Sequence, residues 1–154
     1  MIVIIASEYI IEYCLNNLDG TVLVRSWGEK GIFYNPGGTL KRGVYVLTVK
    51  EKGGENDKSS KLDREGVFRV NLGVRKNTFT EMFGVTPKRP PKGGVVNMAY
   101  DFAETDKILP HPVYGWMNWI CALNPSEETF ERLKPLIREA YDYAEEKFVK
   151  RKGK

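Results

Sequence analysis

The side chains with most chemical reach gather in one short stretch. LPHPVYGWMNW (109–119) holds the single histidine of the chain, His111, between Pro110 and Pro112, and Tyr114, Trp116 and Trp119 follow it. A proline pushes the residue before it into extended backbone, so Leu109 and His111 are both held extended and the imidazole stands on a stiff support. Such a support suits a proton-transferring or ligand-touching imidazole, which must be held in place. It equally suits a packing histidine that hydrogen-bonds a neighbouring carbonyl. No acid–base partner is identifiable from the sequence, so catalysis has the least behind it. Trp116, in the loop after Gly115, is placed to line a pocket or stack on a base. Trp119 reads as core.

A second set comes from strand patterning. In GVFRVNLG (66–73) alternation puts Phe68, Val70 and Leu72 on one face and Arg69 and Asn71 on the other. If the sheet has one open face, Arg69 and Asn71 lie on it. Arg25, which alternation groups with Leu23 and Trp27, is expected beside them. The face is then either plainly solvated or a shallow concave site of Arg25, Arg69, Asn71, His111 and Trp116, with Tyr114 alongside, suited to an anion or a nucleotide.

Other chemistries find little support. The cysteines, Cys14 and Cys121, stand far apart and both fall on apolar stripes, so they read as core rather than as nucleophiles. One histidine and no ligand spacing leave no expected metal site. NPGGT (35–39) is turn chemistry that lacks the Lys-Ser/Thr ending of a phosphate loop, and no nucleophile-elbow pattern occurs. No cofactor is expected, no catalytic motif is recognisable, and the balance leans against an enzyme.

Lys and Arg number 24 against 20 Asp and Glu, a formal net charge of +4. That is mild for a dedicated nucleic-acid binder. The excess sits in two places. TPKRPPKGG (86–94), whose prolines and glycines forbid regular structure, carries Lys88, Arg89 and Lys92. KFVKRKGK (147–154) carries Lys150, Arg151 and Lys152 within a basic tail. Both suit solvated charge or an anionic partner such as nucleic acid. The start, MIVIIASEY, lacks a basic n-region and a cleavage site, and no apolar run reaches the roughly 18 residues of a membrane span. The expectation is a reduced, cytoplasmic protein without membrane contact.

These groups need elements to position them. SEYIIEYCLNNLDG (7–20) has a helical apolar stripe, with Ser7 as a candidate N-cap and Asp19-Gly20 as the stop. TVLVRSW, GIFYNP and GVYVLTVK read as strands, with a hairpin joining the first two. EKGGENDKSSK (51–61) reads as a mobile polar loop. RKNTFTEMFG (75–84) is a short helix ending at Gly84. NWICALN (118–124) is a central strand, apolar on both faces. SEETFERLKPLIREAYDYAEEKF (126–148) is a helix capped by Ser126. It has acidic residues in its first turn, an apolar stripe from Phe130 to Phe148, and Pro135 as either a kink or a break. The order predicts one α+β domain over residues 1–148, an antiparallel sheet of about five strands packed against N- and C-terminal helices, followed by a basic tail, 149–154.

Two segments carry a resemblance. GVFRVNLGV (66–74), and HPVYGWMNWICALNPS (111–126) followed by a helix with EAY at 139–141, resemble an uncharacterised family of small bacterial proteins, one of the numbered families of unknown function. That likeness implies no activity. The C-terminal part is more distantly similar to the YjbR/MmcQ proteins. This likeness implies a frataxin-like or double-wing α+β fold and, as those proteins are often described, DNA binding. The chain departs from that pattern at Ala140-Tyr141, where a Ser-Tyr is usual, and at Asn118, where a basic residue commonly precedes the tryptophan.

Three functions therefore stand at this stage. The first is a small binding module for an anionic partner, nucleic acid included. The second is a small-molecule binder or enzyme with a pocket around His111 and Arg69. The third is a structural or interaction domain.

Overall fold

The computed structural model describes residues 3–26 and 28–152; the expected place of Trp27 and the last two residues of the tail lie outside the described residues. Among the described residues, six strands form one antiparallel sheet. Helix α1 (Ser7–Asn17) leads into β1 (Thr21–Ser26), β2 (Glu29–Tyr34) and β3 (Val44–Lys50). Then come β4 (Arg69–Gly73), α2 (Lys76–Phe83), β5 (Ile108–Pro110), β6 (Trp119–Leu123) and α3 (Glu127–Lys152). The strand order is β1-β2-β3-β4-β6-β5, and every pairing is antiparallel. The extra strand relative to the expected five is β5, whose Leu109 faces Cys121 across the ladder. Pro110 is tolerated there because β5 is an edge strand and needs no inward amide at that position.

The helices cover one face. Ile10, Ile11 and Cys14 of α1 pack with Ile32, Val49, Val70 and Leu72 of the sheet, and the expected stripe of α3, from Phe130 to Phe148, closes the core. Ser126 caps α3 as its type predicts: its Oγ accepts the Thr129 amide at 3.3 Å. Pro135 does not break the helix. It lies on the exposed side of the helix, away from the apolar stripe, and costs the helix the one amide bond to the Glu131 carbonyl. Ser7, in contrast, is the first helical residue of α1 rather than its cap. Ala6 holds the cap position, and the Ser7 hydroxyl turns to Glu8.

The second face is where the sheet differs from the expectation of an open surface. Arg69 and Asn71 do share it, opposite Val70 and Leu72, but both are buried. The polar segment 51–61 lies across them. Leu62, just beyond it, forms a smaller core with Leu109, Cys121 and Leu123. The segment is therefore fastened, through Asp57, Ser60 and Leu62, instead of being a loose connection.

One irregularity decides what else reaches this face. β2 and β3 change register between Ile32 and Phe33: Ile32 pairs Leu47 while Phe33 pairs Tyr45, so Val46 is an extra residue. Strict alternation would set Tyr45 and Thr48 on opposite faces. The bulge resets the alternation and brings Tyr45, Thr48 and Lys50 to one side.

Candidate functional site

The second face carries a cleft of about 510 Å³, built from β3, β4 and the chain after β5. Its floor is Thr48, Lys50, Asp57, Arg69, Asn71 and His111. Its wall is Tyr45, Val113, Tyr114, Met117 and Trp119, with Glu29 at the rim.

His111 is positioned by its neighbours in sequence. Its amide donates to the Trp119 carbonyl at 3.0 Å, continuing the β5–β6 ladder by one bond. Its Nδ1 accepts the amides of Val113 and Tyr114, each at 3.0 Å. The ring thus does what an N-cap side chain does, with Pro112 in the first position, where no amide is needed. The expected histidine donating to a carbonyl is instead an acceptor of two amides. A 3-10 turn follows (Gly115–Met117), and Asn118, left-handed at φ 66°, sends the chain back into β6. Asparagine is one of the few residues that take this conformation at low cost.

Arg69 is the centre of the floor. Nη1 donates to Asp57 Oδ1 at 3.0 Å and to Ser60 Oγ at 2.9 Å, and Nη2 donates to Asp57 Oδ2 at 2.5 Å. Nε donates to Asn71 Oδ1 at 2.6 Å, and Asn71 in turn donates to Thr48 Oγ1 at 3.0 Å. Lys50 Nζ reaches Asp57 Oδ2 at 3.0 Å. A buried guanidinium needs such a fork-to-fork carboxylate partner, since an unpaired buried charge is costly.

The charges respond accordingly. Burial pushes the Asp57 carboxyl up, but the bonds and charge of Arg69, with Lys50, outweigh it and hold Asp57 well below the usual carboxylate range. Burial and then the adjacent Arg69 hold His111 well below the ordinary value of 6.5, so the imidazole is neutral. Burial raises Glu29, with Lys50 and Arg69 pulling the other way. Burial also pushes the thiols of Cys14 and Cys121 up to about 12, so neither is a ready nucleophile.

Trp119 is a wall residue rather than core. It is half-buried in the cleft lining, edge-on to Tyr45 with centroids 6.3 Å apart. Gly73 pairs with it in register, and a Cβ there would meet the indole Nε1 at 2.9 Å. Glycine at 73 is what lets the indole lie across β4.

The structure brings together Arg69, Asn71, His111 and Tyr114. Trp116 lies just outside, in an adjoining groove with Arg89 and Lys92, and the Arg89 guanidinium sits 4.8 Å from its ring centroid. Asn56, Val113 and Tyr114 border both this groove and the cleft. Lys88 is exposed and lines neither. Arg25 is not part of the cleft. It lies on the edge strand β1, opposite Lys30, and borders an adjoining shallow groove with Arg42. The register Arg25–Lys30–Val49–Val70 sets it on the helix-bearing face, opposite Arg69 and Asn71, and two strands separate it from β4; alternation within single strands reveals neither. Lys150, Arg151 and Lys152 form the last turn of α3, on the helix-bearing side, where positive charge suits the helix dipole.

Sequence patterning missed Asp57, Ser60, Thr48, Lys50, Tyr45 and Glu29. One partial signal for Asp57 was present: Arg69, flanked by Phe68 and Val70, requires a carboxylate partner if buried, and the nearby polar segment 51–61 offers Glu51, Glu55 and Asp57. Among the described residues, no three His, Cys, Asp or Glu side chains gather to hold a metal ion. Nor is any helix among them long and apolar enough to cross a membrane.

The chain belongs to DUF6194, a family of unknown function whose model matches residues 5–153. No curated protein and no solved structure matches it.

Proposed function

We propose, for this member of a family of unknown function, that the chain is a binding module for a small organic molecule with a flat ring, held in the cleft over Arg69 and His111. The observation that carries this is the combination of an aromatic wall, Tyr45, Tyr114 and Trp119, with a polar floor whose side chains are locked by one another. Ligand pockets are typically apolar concavities with a few fixed polar groups, and this cleft is within their usual range of about 300–1,000 Å³.

The proposal is of binding rather than turnover. His111 Nδ1 is occupied by two amides, and both thiols are buried in their protonated form. Two unpaired cysteines, one in each core, suit a reduced, cytoplasmic setting.

A fragment screen by two-dimensional NMR tests the proposal. Ring-bearing fragments are expected to shift Tyr45, Tyr114, Met117 and Trp119 together, and Tyr45→Ala is expected to weaken them several-fold. Hits that cluster elsewhere, or no hits at all, would sink it.

A second reading has its own support in the Arg89–Trp116 stack. An extended anionic partner, nucleic acid included, would lie along that groove with Lys92 on its phosphates. Oligonucleotide binding that falls steeply with salt and is lost in Arg89→Ala/Trp116→Ala would support it. Salt-independent binding, or none, would dismiss it.

A further inference from the structure

The hydrogen-bond inventory of the cleft floor does not balance. A guanidinium carries five N–H donors and no acceptor. In Arg69, Nε serves Asn71, Nη1 serves Asp57 and Ser60, and one N–H of Nη2 serves Asp57. The Nη2 atom also lies 3.3 Å from His111 Nε2.

That contact would be a hydrogen bond if Nε2 were unprotonated. It is not. Backbone amides only donate, and two of them point at Nδ1. In the neutral ring the proton is therefore on Nε2. The 3.3 Å contact sets N–H against N–H, and neither group can accept. Among the described residues, Arg69 Nη2 is the only polar partner within hydrogen-bonding distance of that nitrogen. Both side chains are buried, at 1 % and 2 % exposure, and both border the cleft. Buried donors without an acceptor are rare in folded proteins.

We infer that the paired N–H groups of Arg69 and His111 are a receptor for a carboxylate oxygen, so that the ligand is a small aromatic carboxylic acid with its ring against Tyr45 and Trp119. This rests on the cleft being a binding site, as proposed above. The charge balance of the floor favours an anion over a neutral carbonyl: the two cations, Arg69 and Lys50, share the one carboxylate of Asp57. Two further acids line the cleft away from this floor: Glu29, whose ionised form burial disfavours, and Glu55, which is exposed to solvent. A planar carboxylate continues the plane of a ring into the floor, and it supplies the lone pairs that the two donors lack.

Because the chain has one histidine, its ring can be read directly by long-range proton–nitrogen NMR. The free protein is expected to show the Nε2–H form, unchanged from about pH 8 to about pH 5.5. A ring protonated on Nδ1, or one titrating near its ordinary value, would overturn the inference. Benzoate is then added, with benzyl alcohol as a ring without the carboxylate. Benzoate is expected to shift the His111 Nε2–H and Arg69 side-chain signals, and benzyl alcohol to leave both in place. If benzoate moves Tyr45 and Trp119 but not the Nε2–H, the inference fails and the cleft stands as a binding site. If neither probe moves any cleft residue, the binding reading fails and the inference with it. His111→Asn keeps an oxygen to cap the Val113 and Tyr114 amides while removing the Nε2–H. With its amide spectrum otherwise native, it is expected to bind benzoate at least about tenfold more weakly. Unchanged affinity in that variant would also overturn the inference.

Discussion

Asp57 and Arg69 meet in a two-point ion pair, with Asp57 Oδ1 3.0 Å from Nη1 and Oδ2 2.5 Å from Nη2. Asp57 comes from a polar, glycine-rich segment and Arg69 from the middle of a sheet. The pair therefore bolts segment 51–62 onto the second face of the sheet and closes one end of the cleft. Without it the same segment would have little reason to lie down, since Leu62 is the main apolar anchor it offers the smaller core.

Removing one partner of this pair strands the other. Asp57→Ala is expected to cost about 3–5 kcal/mol, the usual penalty for leaving a buried charge unpaired. Arg69→Met should cost a similar amount alone, and the double variant clearly less than the sum. Urea denaturation of the three variants measures this. Additive losses would mean that the two side chains act independently.

Acid should destabilise the protein in two stages. The unfolded chain protonates its histidine near 6.5, whereas folded His111 stays neutral to well below that value. The unfolded state thus binds more protons, and stability falls as pH drops below about 6.5. Asp57 adds a second loss at lower pH, because its folded value lies below the ordinary 3.8: its contribution is present above that value and disappears as pH falls through the folded one. At the alkaline end the thiols reverse the sign. They ionise near 9.0 when unfolded and at about 12 when folded, so stability falls as pH rises past 9.0. Equilibrium unfolding across pH checks all three limbs, and His111→Asn should erase the first.

Gly73→Ala should disturb the cleft from beneath. The added methyl meets the Trp119 ring, which must tilt or lift. A cost of about 1–3 kcal/mol is expected, together with altered tryptophan fluorescence and weaker fragment binding. Native fluorescence and binding in this variant would show that the indole is not seated on β4 as described.

Neutralising the end of α3 should leave the cleft alone. Lys150→Ala/Arg151→Ala/Lys152→Ala removes charge from the opposite side of the sheet and a favourable interaction with the helix dipole. The expected loss is about 0.3–1 kcal/mol, with fragment affinity unchanged. A changed affinity would place the basic tail at the site.

How much of this was legible in the sequence depends on the range of the determining interaction. The helices, strands β1 to β4 and β6, the Ser126 cap and the shared face of Arg69 and Asn71 were all readable, because apolar periodicity and capping act over a few residues. The HPVY turn was half legible: the prolines announce a stiff backbone, but the direction of the histidine bond depends on the fold of the next three residues. β5 was missed because a three-residue edge strand has no periodicity to read and exists only through its pairing with β6.

The sequence by itself determined an α+β chain with one charged strand face and one rigid histidine. Tertiary structure alone decided that this face would be covered rather than wet. It did so by laying Asp57 over an arginine 12 residues away, by shifting the β2–β3 register so that Tyr45 and Thr48 point the same way, and by leaving Arg25 two strands out. Burial, ion pairing and register join residues distant along the chain, and no local pattern of residue types encodes which of them will meet.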